Sequence, residues 1–334
     1  MARIAIIGGG AWGTALACVA RRAGHEARLW VREAQVADAI NAGQGNPVFL
    51  PGIALESGID ATNDMADALA DADAVLLVAP SQFLRAVAMG MRQYLDSGTP
   101  VVLCAKGIEH DTLALMTEAA ATALPDSPIA VLSGPTFARE VAQGLPTAVT
   151  LACADAAVGQ RLVELIGVPL FRPYLSDDPV GAEIGGAVKN VLAIACGIVT
   201  GRRLGDNTRA ALITRGLAEM ARLGVAKGGK PETLMGLSGL GDLTLTCNGP
   251  QSRNMSLGIA LGEGRALKDV LAERQSIAEG VFSAASVVAL AATLGVEMPI
   301  CAAVDQVINH GADIDRMIAG LLSRPFRTEQ PDTN

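Results

Sequence analysis

The segment Gly8-Gly9-Gly10-Ala11-Trp12-Gly13 constrains this chain more than any other. It fits the pattern G-x-G-x-x-G, which alone is weak. Its setting gives it force: an apolar strand-like run at 3–7 precedes it and a helical pattern at 13–23 follows, the context that a dinucleotide-binding turn requires. Gly8 would allow the tight turn, Gly10 would let the backbone approach a pyrophosphate, and Gly13 would let helix and strand pack closely. The phosphates would lie at a helix N-terminus, where free N–H groups and the helix dipole favour anions. Read without a ligand, the same residues are a glycine-rich turn.

The alternation continues along the first half. Strand-like runs at 27–31, 74–79, 101–104, 129–132 and 148–151 are interleaved with helical patterns at 34–42, 65–70, 83–94 and 112–123. Such alternation implies βαβ units and a mainly parallel sheet. The run 74–79, Ala-Val-Leu-Leu-Val-Ala, is apolar on both faces, as a central parallel strand should be. Beyond 172–179 most patterns are helical: 180–200, 207–223, 283–294, 300–310 and 315–322. Asp206 or Asn207 would cap the second of these and Gly224 would stop it. A chain of 334 residues exceeds what one core usually supports. The expectation is an α/β Rossmann-type domain over 1–178, with a mainly parallel sheet, and an all-α C-terminal domain over 179–327. The polar tail 328–334 would be frayed.

Composition removes several function classes. Acids outnumber bases by 34 to 26 and aromatic residues are 3%, which argues against a broad nucleic-acid surface. The three histidines, His25, His110 and His310, are too few and too scattered to suggest a multi-histidine metal site, so no metal is expected. Six well-separated cysteines sit mostly among aliphatic residues, where free cysteine behaves as a small hydrophobe. They point to a reducing, cytoplasmic compartment. No signal-peptide pattern precedes the first strand. The stretch 180–201 is sparsely charged, but Glu183, Lys189, Asn190 and several glycines suit a buried helix better than a membrane span.

The end of the second strand should choose the cofactor. An acidic residue there binds the ribose 2′-hydroxyl of NAD, whereas arginine can pair with the 2′-phosphate of NADP. This chain has Arg32 followed by Glu33, so NADP(H) is favoured and NAD(H) stays open. Carbonyl reduction also needs a group to protonate or polarise the oxygen. Lys189, within Gly185-Gly186-Ala187-Val188-Lys189-Asn190-Val191, lies in an otherwise sparsely charged helix, where burial would lower its pKa. Gly186 would leave room beside it and Asn190 could add a donor. Structurally, the same lysine could snorkel from a helix edge. Lys106 and the stretch from Ser133 through Gly134 and Thr136 to Glu140 follow strands and would face the ligand crevice of an open sheet. Asp242, and the trio Ser252, Arg253 and Asn254, form polar islands suited to a phosphate or polyol. A helix cap at Ser252 or Asn254 is the competing reading.

Taken jointly, these segments resemble the bacterial NAD(P)-dependent glycerol-3-phosphate dehydrogenase family. The matching segments are Gly8 to Leu16, Lys106-Gly107, Ser133-Gly134-Pro135-Thr136-Phe137-Ala138, Gly185 to Val191, Ile213 to Met220, Gly239 to Leu243 and Gln251-Ser252-Arg253-Asn254. They stand in family order from residue 3 to about 310. The resemblance implies reversible reduction of dihydroxyacetone phosphate to sn-glycerol 3-phosphate, which feeds phospholipid synthesis, in a dimeric enzyme of a Rossmann plus a helical domain. It implies Lys189 as proton donor and acceptor. It implies Lys106, Gly134, Thr136, Lys189, Asp242, Ser252, Arg253 and Asn254 as substrate ligands. Cofactor contacts implied are Trp12, Arg32, Lys106, Ala138, Arg253, Ile277 and Glu279, beside Gly8, Gly10 and Gly13 of the glycine turn. Ala11 departs from the serine common in the family, removing one hydroxyl from the pyrophosphate site, and Arg139 stands where lysine is common. The competing readings are a related β-hydroxyacid or sugar-acid dehydrogenase and a non-enzymatic NADP-binding redox sensor.

Overall fold

The computed structural model describes residues 1–249, 251–273 and 279–326. Ile277 and the 328–334 tail lie outside the described residues. The first half runs β1 (Arg3–Ile7), α1 (Ala11–Arg22), β2 (Glu26–Trp30), α2 (Ala34–Asn41), β3 (Ile59–Thr62), α3 (Met65–Leu69) and β4 (Ala74–Leu77). After a 3-10 turn at Ser81–Phe83 come α4 (Leu84–Met91), β5 (Val101–Leu103), α5 (Met116–Ala123) and β6 (Ile129–Ser133). Then α6 (Ala138–Ala142), β7 (Thr147–Cys153), α7 (Ala156–Ile166) and β8 (Phe171–Ser176) complete the sheet half.

The eight strands lie in the order β3-β2-β1-β4-β5-β6-β7-β8. Every pairing is parallel except β6 with β7. All four residues of β4 are buried, as its two apolar faces require at the sheet centre. Chain order reverses around β1, which has β2 on one side and β4 on the other. Ligands of open sheets bind outside the carboxyl ends of strands at such a switch point. The adjacent strands β1, β4, β5 and β6 therefore present the glycine turn, Ser81-Gln82, Lys106 and Gly134 in one row.

Two strands escaped the sequence pattern. β3 is four residues with the mixed sequence Ile-Asp-Ala-Thr at one edge. β8 forms the other edge and carries Pro173, which only an edge strand or bulge tolerates, among largely exposed residues. The expected helix 112–123 begins only at Met116, because Leu113 has φ of 58° and the chain 108–115 folds as a small hairpin closed by an Ile108–Leu115 bridge.

The helical half runs α8 (Pro179–Gly201), α9 (Asp206–Ala226), α10 (Pro231–Leu234), a π-turn at Leu237–Gly241, α11 (Asp242–Asn248) and α12 (Arg253–Gly262). It ends with α13 (Leu267–Ala272), α14 (Glu279–Thr293), α15 (Pro299–His310) and α16 (Ile314–Leu322). Asp178 caps α8 by accepting from the Gly181 amide at 2.9 Å, and Pro179 fills the first helical position. Residues from Gly181 to Val199 are all buried, so α8 is the hub on which the other helices pack. Among the described residues it is the one helix long and apolar enough to cross a membrane, and most of that stretch is buried inside the protein. Gly205, rather than Asp206 or Asn207, occupies the N-cap of α9. Gly224 does not stop that helix, which continues to Ala226. Its missing side chain instead admits Leu234, whose Cδ1 lies 2.4 Å from where a Cβ would stand. Most buried apolar residues of the helical half form one cluster, joined by Ile108 and Leu115 from the sheet half's hairpin.

Candidate active site

The glycine turn is built by steric necessity. Gly8 has φ of +129°, and a Cβ there would meet the Val78 carbonyl oxygen at 2.9 Å. A Cβ on Gly13 would stand 1.8 Å from the Gly8 oxygen, so only glycine permits α1 to approach the turn. Gly10 differs: it is the N-cap of α1 and nothing lies within 4 Å of where its Cβ would be. Open space therefore faces the free amides of the helix start, and a side chain would fill it. Asn46 pins the turn from outside. Its amide donates to the Gly9 carbonyl and the Thr14 hydroxyl, both at 2.9 Å, and its oxygen accepts from the Phe49 amide. Nothing in the sequence around Asn46 announces that role, because the contact spans more than thirty residues. Trp12 packs half-buried against the sheet core, and Ala138 opens the short helix α6. Arg32 follows β2 with its side chain 82% exposed and paired to Glu33 at 2.7 Å.

The lysines converge across the two halves. Lys189 lies mid-helix in α8, not at a helix end, and is 6% exposed. Its Nζ donates to Asp242 Oδ1 at 2.6 Å and to Thr246 Oγ1 at 3.0 Å. Lys106 Nζ donates to the other carboxylate oxygen, Asp242 Oδ2, at 2.6 Å and to the Gly134 carbonyl at 3.1 Å. One fully buried carboxylate thus bridges a lysine from each half of the molecule. Two cations around one anion leave the cluster net positive, which suits an anionic ligand. The space left by Gly186 is taken by Lys106, not kept for Lys189: a Cβ there would stand 3.2 Å from Lys106 Cγ. Gly134 has φ of +146°, and a side chain would press on Val149 Cα at 3.0 Å. Thr246 was not singled out in sequence, although it sits one helical turn after Asp242, the spacing that shares a face.

Burial pushes the Lys189 ammonium down to about 8. Repulsion from Lys106 adds to that effect and the Asp242 carboxylate opposes it. Glu279 opens α14, and burial pushes its carboxyl up against the opposing pull of Arg253, Lys189 and Lys106. The polar trio divides differently from its sequence reading. Ser252 caps α12, its hydroxyl accepting from the Met255 amide at 3.2 Å. Asn254 donates to Asn190 Oδ1 at 2.9 Å and accepts from the Gly280 amide at 3.0 Å, tying α12 to α8 and α14. Arg253, the first residue of α12, is the exposed member of the trio. Thr136 Oγ1 lies 3.4 Å from the Gly134 carbonyl.

The donor set fits a dinucleotide: an open helix N-terminus behind Gly10, Arg32 at the end of β2, and a cationic cluster beyond the sheet. Comparison with known proteins agrees. Residues 3–159 match the family model described as the N-terminus of NAD-dependent glycerol-3-phosphate dehydrogenase, and residues 178–319 match the C-terminus. The chain is 61% identical to the NAD(P)+ glycerol-3-phosphate dehydrogenase of Rhodospirillum rubrum, over 98% of this chain and 93% of that protein. It is 58% identical to the Caulobacter vibrioides enzyme, over 98% of both. Its structure matches that of glycerol-3-phosphate dehydrogenase from Coxiella burnetii with a TM-score of 0.92 and 42% identity, covering 97% of this chain and 99% of the other. The chain is therefore an NAD(P)-dependent oxidoreductase that belongs to the NAD-dependent glycerol-3-phosphate dehydrogenase family.

Proposed function

We propose that the protein reduces dihydroxyacetone phosphate to sn-glycerol 3-phosphate, reversibly, with Lys189 moving the proton. The observation that carries this reading is the buried Asp242 carboxylate held between Lys189 and Lys106. The nicotinamide supplies hydride to the ketone carbon when bound. Everything else falls to the chain. Gly8, Gly10 and Gly13 shape the pyrophosphate seat, with Trp12, Ala138, Arg253 and Glu279 around the remaining cofactor surface. Lys106, the Gly134 and Thr136 turn, Arg253 and Asn254 receive the substrate's dianion, and Ser252 contributes by fixing the start of α12. The Lys189 ammonium donates to the developing alkoxide, and the neutral amine takes the proton back in alcohol oxidation. Asp242 orients both lysines. Reduction should then weaken as pH rises above about 8, where Lys189 loses its proton, while oxidation should strengthen over the same interval.

The same reading takes residues 1–178 as the cofactor domain and 179–327 as the catalytic domain. It places the enzyme in the cytoplasm as a homodimer, with its product feeding glycerophospholipid synthesis. The six cysteines, all free and buried, suit a reducing compartment. A related β-hydroxyacid or sugar-acid dehydrogenase would present a site for a carboxylate rather than a phosphate dianion, and a redox sensor would have no use for a bridged lysine pair. One assay separates them: NADPH consumption by the purified protein with dihydroxyacetone phosphate and with a panel of keto acids. Turnover with the triose phosphate alone is expected, and its absence would sink the proposal. Arg32 is proposed to favour NADPH through the 2′-phosphate. An unchanged ratio of kcat/KM for NADPH and NADH in Arg32→Ala would remove it from that role.

A further inference from the structure

Lys106 sits at the root of the 108–115 hairpin, and that hairpin is anchored to both halves of the molecule. Its apolar residues Ile108 and Leu115 are fully buried in the core of the helical half. His110 Nδ1 lies 3.2 Å from Ser286 Oγ on α14, on the same side. Its polar backbone faces the other way. Gln82, in the 3-10 turn after β4, donates from Nε2 to the Ile108 carbonyl at 2.9 Å and accepts at Oε1 from the His110 amide at 3.0 Å. One side-chain amide thus pairs with residues i and i+2 of the hairpin as a neighbouring strand would. Arg85 reinforces the grip with a two-pronged pair to Glu109, Nε to Oε1 at 2.8 Å and Nη2 to Oε2 at 2.7 Å, and Thr112 also donates to that carboxylate. Gly107 lies against Ser81, whose Oγ is 2.5 Å from where a Cβ would stand.

We propose that Gln82 is a positioning residue for Lys106, setting where that lysine stands between the cofactor strands and the Asp242 carboxylate. The proposal rests on the reading of Lys106 as a substrate-binding group. The hairpin's apolar side belongs to the helical core, so loss of the two Gln82 hydrogen bonds loosens its hold on the end of β4, with the Arg85–Glu109 pair remaining. Lys106 would then shift relative to the ketone. A reacting geometry is sensitive to displacements of about 1 Å. Lys189 would also feel the change, since it faces Lys106, Asp242, Glu279 and Cys247. A changed distance from Lys106 alters the repulsion that helps hold the Lys189 pKa down.

The test compares Gln82→Met, which keeps the side chain's length and removes both hydrogen bonds, with Gln82→Glu, which keeps the acceptor for the His110 amide. Lys106→Ala serves as the reference, and unfolding curves confirm that each variant is folded. Gln82→Met should raise KM for dihydroxyacetone phosphate roughly tenfold, while KM for NADPH stays within about twofold. Its basic limb for ketone reduction should move away from that of the parent. Gln82→Glu should fall between Gln82→Met and the parent. If Lys106→Ala is impaired but Gln82→Met matches the parent, the clamp is wrong and the Lys106 reading stands. A rise confined to KM for NADPH would make Gln82 a cofactor ligand and overturn positioning. If Lys106→Ala itself leaves the ketone KM unchanged, the Lys106 reading fails and the clamp falls with it.

Discussion

The two halves of this molecule build their shares of the site from different materials. The sheet half relies mainly on backbone, with Gly8 and Gly13 that no other residue can replace and helix-start amides facing open space, and adds the side chain of Lys106. The helical half uses side chains carried on packed helices, with Lys189 and Asp242 brought together from positions 53 residues apart. A backbone site is set by local sterics and tolerates a featureless neighbourhood. A side-chain site places charge in a low-dielectric interior, where a partner is needed and its loss is costly. Substitutions should therefore fail differently in the two halves.

The largest effect belongs to the helical half. Lys189→Ala should lower kcat about a thousandfold, the scale of a lost general acid, with NADPH affinity changed less than about twofold by fluorescence titration. Turnover near that of the parent would remove Lys189 from proton transfer. Next comes stability at the junction of the halves. Glu183 on α8 is buried and accepts from the Thr117 amide at 2.8 Å and from the Thr117 hydroxyl, at the start of α5. Burial raises its carboxyl to about 7 despite those hydrogen bonds. A carboxyl raised on folding favours the folded state below its unfolded pKa, and that advantage is lost as pH climbs through the folded value. Glu183 should thus remove on the order of 3 kcal/mol between about pH 4.5 and 7. Denaturant melts of Glu183→Gln across that range should lack this slope, and an unaltered slope would clear Glu183 of it.

The backbone site gives a smaller, cleaner signature. Gly10→Val adds a side chain into open space, so Tm should stay within a few degrees while KM for NADPH rises roughly tenfold. If cofactor affinity survives, the pyrophosphate does not sit in front of α1. Smallest is Ser252→Ala, which should cost about 1 kcal/mol of stability as a lost N-cap. A kcat or KM change with no stability loss would return Ser252 to the list of direct ligands.

This contrast also governs how much the sequence discloses. The glycine turn was legible because its physics is local: strand, tight turn and helix are contiguous. The alternation of patterns likewise located six of the strands, whereas the short edge strands β3 and β8 carry too little apolar periodicity to be seen. Lys189 stood out as a charge in an apolar helix. Its arrangement did not, since nothing near residue 189 tells that Asp242 lies 2.6 Å away or that Lys106 fills the space beside Gly186. Family resemblance implied which residues share the site, and the structure shows that they make different contacts. Asn254 ties helices together and Ser252 caps one, although in sequence both read as equals of Arg253. Asn46 and Gln82 were invisible because each acts through a tertiary contact with no local pattern, whereas the spacing of Thr246 from Asp242 was a local signal.

The bridged lysine pair is most directly tested by the pH dependence of kcat for ketone reduction in the parent and in Asp242→Asn. The parent should lose activity as pH rises through about 8, where Lys189 deprotonates. Asparagine removes the charge that holds Lys189 protonated against burial and against Lys106, so the limb should move to lower pH. A limb that stays at the same pH in Asp242→Asn, or a parent profile flat across that region, would contradict Lys189 as the proton-carrying group governed by Asp242.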